Sequence, residues 1–182
     1  APSLVGSEMC IRDRPNTVKK SAQNLINLKP DFLSIHLSGG LKMVENVVSI
    51  KNNTKILGIS MLTSLDNSDL KSFGYNLSNL DYVENLAKIG EKAGIDGLVS
   101  SASEIPHLKK NLNNTNMLFV TPGIRLSENK INDQKRINSP GQAIKNGSKM
   151  LIIGRSITQS GDPINSLKCI LQDIEKHYED KN

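Results

Sequence analysis

Two stretches in the last third of the chain put glycine and arginine where an anion could be held. The apolar run "KMLII" (149–153) ends in "GRSITQS" (154–160), and the run "MLFV" (117–120) ends in "TPGIR" (121–125). Glycine at the end of a strand lets a backbone N–H approach an anion closely. Arginine adds a planar, two-pronged donor that matches phosphate geometry. Gly154 and Arg155 therefore read as a phosphate clamp, with Gly123 and Arg125 as its neighbour. A single Gly-Arg pair is commonly a turn bearing a surface arginine. Two such ends in consecutive units favour the clamp. Between them lies "RLSENKINDQKRINSP" (125–140), polar and weakly periodic. A long loop of this kind is either a functional lid or a disordered insert. Gln134 sits in it and, taken alone, reads as a surface amide.

The elements that position these residues alternate. Five short apolar runs recur: "DFLSIHL" (31–37), "KILGISML" (55–62), "DGLVSS" (96–101), "MLFVTPGI" (117–124) and "KMLIIGRS" (149–156). Each is apolar on both alternating faces, which suits a parallel strand buried on both sides. Helix-period segments lie between them. Residues 16–28 place Val18, Ala22, Leu25 and Ile26 on one stripe; residues 79–94 do the same with Leu80, Val83, Leu86, Ala87 and Ile89, with Gly94 as C-cap. "SPGQAIKNG" (139–147) opens with an N-cap Ser and an N1 Pro and closes on Gly147. Residues 161–180 open with Asp162 and Pro163, and carry the stripe Ile164, Leu167, Ile170, Leu171 and Ile174. Strand–helix repetition with short loops predicts βαβ units and a parallel sheet, about five units in one domain. An open doubly wound sheet and part of an eight-stranded barrel both fit. In a βα barrel, phosphate sites form from the loops after the last two strands. No GxGxxG follows a strand, which argues against a dinucleotide site.

Composition narrows the class. A chain of 182 residues, 37% hydrophobic and 23% charged, suits a soluble globular domain. No apolar run approaches the roughly 20 residues that span a bilayer, and "APSLVGSEMC" lacks the features of a signal peptide. Cys10 and Cys169 form no metal-ligand spacing and no disulfide framework, so a reducing cytoplasm is expected. The net charge of +5 is spread along the chain, and three Phe and three Tyr offer little base stacking. That reads as a solvated basic surface rather than a nucleic-acid face, and one that welcomes a phosphorylated substrate.

Taken in order, "VTPGIR", "DQKR" after a polar loop, "SPGQAIKNG" and "LIIGRSITQSGDP" resemble the C-terminal half of bacterial orotidine 5′-phosphate decarboxylases. The resemblance continues upstream through "PNTV" (15–18), "SIHLSGG" (34–40), "LTS" (62–64) and "GIDGLVSSASE" (94–104), and covers Pro15 to about Ile174. It implies a (β/α)8 barrel working as a homodimer. The implied reaction converts orotidine 5′-monophosphate to uridine 5′-monophosphate, in pyrimidine synthesis, without metal or organic cofactor. By position, Arg155, Gln134 and the backbone of Gly154 would hold the phosphate, with Arg125 in the same set. Thr63 and Ser64 would line the ligand pocket, Ser64 near the pyrimidine, and Thr17 would reach into the neighbouring subunit's site. His36 matches by position but reads as a hydrogen-bonded structural residue, and His107 and His177 carry no signal. Other phosphate-sugar barrel enzymes, or a non-catalytic phosphate-binding module, are the alternatives.

The family pattern before "PNT" is Asp-x-Lys-x-x-Asp-Ile at the end of the third barrel strand. Its lysine protonates the carbon that loses carbon dioxide. Its first aspartate crowds the leaving carboxylate, and its last serves the partner subunit. Aligned on "PNTV", this chain offers "EMCIRDR" (8–14): Glu8 for the first aspartate, Cys10 for the lysine, Asp13 for the last aspartate and Arg14 for the isoleucine. "SLVGSEMCIRDR" instead resembles translated sequencing-adapter sequence. The expectation is therefore a non-native segment at 1–14. Residues 15–182 would be the C-terminal part of one barrel domain, an incomplete (β/α)8 barrel of about five βα units lacking its first three strands. Such a chain would keep the phosphate clamp and lack the catalytic lysine, since a thiol is no cationic proton donor.

Overall fold

The computed structural model describes residues 14–125 and 138–179. In chain order the elements are α1 (Pro15–Ile26), β1 (Phe32–His36), a 3-10 turn (Leu37–Gly39), α2 (Leu41–Val48), β2 (Lys55–Ile59), α3 (Asn67–Ser72), α4 (Asn79–Ala93), β3 (Gly97–Val99), α5 (Ile105–Asn111), β4 (Leu118–Thr121), α6 (Pro140–Asn146), β5 (Met150–Leu151), α7 (Arg155–Thr158) and α8 (Pro163–Glu179). All five expected strands are present. They hydrogen-bond in chain order, β1-β2-β3-β4-β5. Among the described residues β1 and β5 have one strand neighbour each, so the sheet is open. This is the α/β class expected from the alternation, and it fits the incomplete barrel that the resemblance implies.

Two compact units make up the chain: Ala1–Ser60 with Asn85–Leu98, and Met61–Glu84 with Val99–Asn182. In the first, β1 and β2 pair in parallel from Phe32 opposite Lys55 to His36 opposite Ile59. Ile56, Leu57 and Gly58 are all buried, so β2 is covered on both faces. Helix α1 starts on Pro15, whose fixed φ suits the first turn, and buries Val18, Ala22 and Ile26. Its fourth stripe residue, Leu25, stays 42% exposed. Helix α2 buries Met43, Val44 and Val47 and packs against α1. The start of β3 is fixed by one carboxylate: Asp96 accepts from the Ile56 backbone N–H at 2.8 Å and from Lys51 Nζ at 2.7 and 2.8 Å. The Asp96 N–H donates back to the Ile56 carbonyl at 3.0 Å.

In the second unit, β4 and β5 pair in parallel, Val120 opposite Met150 and Thr121 opposite Leu151. Helix α3 carries a capping box, Asp66 and Asp69 each accepting from the other's backbone N–H. Burial and the neighbouring Tyr75 push the Tyr82 phenol above its usual pKa. The Ser139 hydroxyl caps α6 by accepting the Gln142 N–H, and Gly147 closes it in the left-handed conformation, as the sequence predicts. Gly141 brings α6 onto α8. Its N–H donates to Asp173 Oδ2 at 2.6 Å, and a methyl group there would overlap the Asp173 carbonyl oxygen and the His177 ring. Gly141→Ala is therefore expected to force the helices apart and cost about 2 kcal/mol, read as a lower urea midpoint with unchanged slope.

Two expectations are corrected. The strands are not all buried on both faces: β1 exposes Ser34 and His36, and Met150 of β5 is 38% exposed. Among the described residues these are the end strands, with a neighbour on one side only. The stripe of α8 is also largely uncovered, with Ile170 buried while Ile164, Leu167 and Leu171 are 70%, 46% and 50% exposed. Amphipathic spacing shows that a helix has an apolar face; it does not show what lies against that face.

Candidate anion site at the strand ends

Strand β4 leads into Pro122 and then Gly123, which is buried and turns at φ 74°. A side chain rarely adopts that conformation, so glycine is required there. Ile124 follows, fully buried against Ala102, Ala143, Leu151 and Ile153. This anchors the base of the Arg125 loop in apolar contacts. Ile124 forms a parallel bridge with Asn138, and the Arg125 N–H donates to the Asn138 carbonyl at 3.1 Å. The Asn138 amide reaches Ser101 Oγ at 3.4 Å, just beyond β3. The backbone following β3, that following β4 and the start of α6 thus meet at one place.

The loop after β5 joins them. The Ile152 N–H donates to the Thr121 carbonyl at 2.8 Å, so the two chains leave the sheet side by side. Gly154 then opens α7, and its carbonyl accepts from the N–H groups of Ile157 and Thr158 at 2.9 and 3.1 Å. A methyl group on Gly154 would meet nothing within 4 Å, so open space lies before this glycine. Two residues on, the Ser156 hydroxyl donates to the Ile124 carbonyl at 3.1 Å. Arg125 Nη1 donates to the same carbonyl at 2.9 Å. One buried oxygen therefore fastens the loop of Gly154 and Arg155 to the loop of Gly123 and Arg125.

The expected site residues separate into those this oxygen gathers and those it does not. Arg125, Gly154 and Arg155 are gathered, and both arginines are partly buried. Thr63 and Ser64 lie in the turn after β2, where the Leu65 N–H closes onto the Leu62 carbonyl at 3.0 Å; Thr63 is half-buried and Ser64 exposed. Thr17 is half-buried in the first turn of α1, in the first unit. Gln134 lies outside the described residues, as do Glu8, Cys10 and Asp13. His36 is exposed at the end of β1. It lines a cavity of about 440 Å³ in the first unit with Val18, Ala22, Leu33, Ile35 and Met43, and none of the expected site residues lines it. His107 pairs with Glu84 at 2.6 Å, and His177 Nδ1 bonds the Asp173 carbonyl at 2.8 Å. Both are accounted for locally. Asn138 and Ser156 were not legible as site residues, because their roles depend on bonds between loops. Among the described residues no cluster of His, Cys, Asp or Glu could hold a metal ion, and no helix is long and apolar enough to cross a membrane.

Known proteins are similar to this chain over most of its length. The model of the orotidine 5′-phosphate decarboxylase / HUMPS family matches residues 11–170. An orotidine 5′-phosphate decarboxylase of Coxiella burnetii is 42% identical over 169 residues, covering 90% of this chain and 71% of that protein. One of Buchnera aphidicola is 37% identical over 166 residues, covering 89% and 70%. The crystal structure of orotidine 5′-phosphate decarboxylase from Lactobacillus acidophilus superposes with a TM-score of 0.74 at 28% identity, covering 90% of this chain and 72% of that one.

Proposed function

We propose, for a chain that belongs to the orotidine 5′-phosphate decarboxylase / HUMPS family, that the joined loop ends hold the phosphate of orotidine 5′-monophosphate for conversion to uridine 5′-monophosphate and carbon dioxide. The observation that carries this reading is the Ile124 carbonyl, bonded at once by Ser156 and Arg125, which places two arginine-bearing loops side by side. The run of decarboxylases among the relatives supports it over another phosphate-sugar barrel enzyme.

In this reading Arg155, Gln134 and the Gly154 backbone hold the phosphate, with Arg125 beside them. Thr63 and Ser64 line the pocket, Ser64 at the pyrimidine, and Thr17 reaches the partner's site in a cytoplasmic homodimer. The phosphate lies far from the carbon–carbon bond that breaks. Its binding energy acts on the rate by closing and assembling the site. The excluded water then strengthens every charge interaction at the pyrimidine. Residues 15–182 form the C-terminal part of one barrel domain, and residues 1–14, of which the family match takes in only 11–14, are foreign to it. With Cys10 where the family has lysine, the chain as written binds the substrate and does not turn it over.

Calorimetry with orotidine 5′-monophosphate and with orotidine, its nucleoside, tests this. The phosphorylated form should bind at least about tenfold more tightly, the effect of one charge-assisted hydrogen bond or more. Equal affinity, or no binding of either, overturns it.

A further inference from the structure

We infer that Ser156, which makes no contact with substrate in this reading, is a positioning residue for the phosphate. The inference rests on the anion site proposed above and deepens it.

Ser156 is buried, and its hydroxyl donates to the carbonyl of fully buried Ile124 at 3.1 Å. That carbonyl also accepts Arg125 Nη1 at 2.9 Å, so it orients the Arg125 guanidinium. The Arg125 N–H is held in turn by the Asn138 carbonyl at 3.1 Å. Ser156 directly follows Arg155. Its bond therefore sets the spacing between the loop that carries Arg155 and the oxygen that aims Arg125. Gly154 adds no side-chain packing of its own there, since open space lies where its Cβ would stand. Without the Ser156 hydroxyl the Ile124 carbonyl keeps Arg125, but the Gly154–Arg155 loop loses its polar tie to it. Two donors that must converge on one anion are sensitive to such loosening, because affinity depends on donors already in place.

The test measures the ratio of affinities for orotidine 5′-monophosphate and orotidine in the 182-residue chain. Ser156→Ala should lower this ratio about tenfold while orotidine binding stays unchanged, and Ser156→Thr, which keeps the hydroxyl, should restore it. A purely structural role would weaken both ligands alike and leave the ratio intact. Should Ser156→Ala fail to fold, Ser156→Cys replaces it: near the same size with a weak donor, it should lower the ratio too. If Arg155→Ala lowers the ratio but the Ser156 variants do not, the positioning role is wrong and the anion site stands. If the unaltered chain shows no preference for the phosphorylated ligand, the anion site itself is wrong, and the role of Ser156 falls with it.

Discussion

Arg155→Ala is expected to weaken binding of orotidine 5′-monophosphate about a hundredfold and to leave orotidine binding unchanged. A hydrogen bond to a charged group is worth roughly 1.5–3 kcal/mol, and the upper part of that range corresponds to such a factor. Arg155 begins α7 directly after Gly154, on the loop tied to Ile124. It is partly buried, so its charge is less screened than that of a surface lysine. Arg155→Lys should recover part of the loss, because an ammonium keeps the charge but not the two-pronged geometry. Arg125→Ala should act in the same direction and more weakly, since part of what Arg125 bonds is its own chain, at the Ile124 carbonyl. Calorimetry on the variants reads both. A uniform loss for nucleotide and nucleoside would point to a folding defect instead.

Asp96→Ala is expected to cost about 3 kcal/mol of stability, more than Gly141→Ala, because it strips a buried donor of its partner. The side chain accepts one bond from the Ile56 N–H and two from Lys51. Ile56 is fully buried, so its N–H would be left without this partner. Lys51 and Asp96 keep side-chain exposures of 28% and 30%, so the ion pair itself contributes modestly and the buried N–H dominates. Asp96→Asn retains an acceptor and should recover more than half of the loss. Chemical denaturation measures the difference. A change below about 1 kcal/mol would mean that water or the backbone takes over the role of the carboxylate.

Much of the scaffold was legible because its signals are local. The five strands follow from short apolar runs bounded by turn residues, and Ser139–Pro140 and Gly147 mark both ends of α6. Helices α2 and α5 were not legible in the same way. Helix α2 starts on Gly40 with no side-chain cap and lasts eight residues, and α5 has no side-chain cap either. The six-residue α3 is different, since its Asp66/Asp69 box is a pattern that sequence alone can supply. The site was half legible. Gly154, Arg155, Gly123 and Arg125 announce themselves by residue type at strand ends. Ser156 and Asn138 do not, because a serine after an arginine reads as an ordinary helix residue until the Ile124 carbonyl lies opposite it. The exposed stripe of α8 shows the converse: periodicity was right about the helix and silent about its partner.

The most direct measurement is the decay of orotidine 5′-monophosphate absorbance. It compares the chain as written with a chimera in which residues 1–14 are replaced by the segment that precedes the matching position in the Coxiella burnetii relative. The chimera should decarboxylate the substrate, and the chain as written should stay at background. In the proposed reading Cys10 stands where the family has its proton-donating lysine, and general acid catalysis of that kind is worth about 10²–10⁴ in rate. Activity in the chimera that Arg155→Ala then lowers would show that the loops after β4 and β5 form a competent substrate site. An inactive, folded chimera, or turnover by the chain as written, would contradict the account.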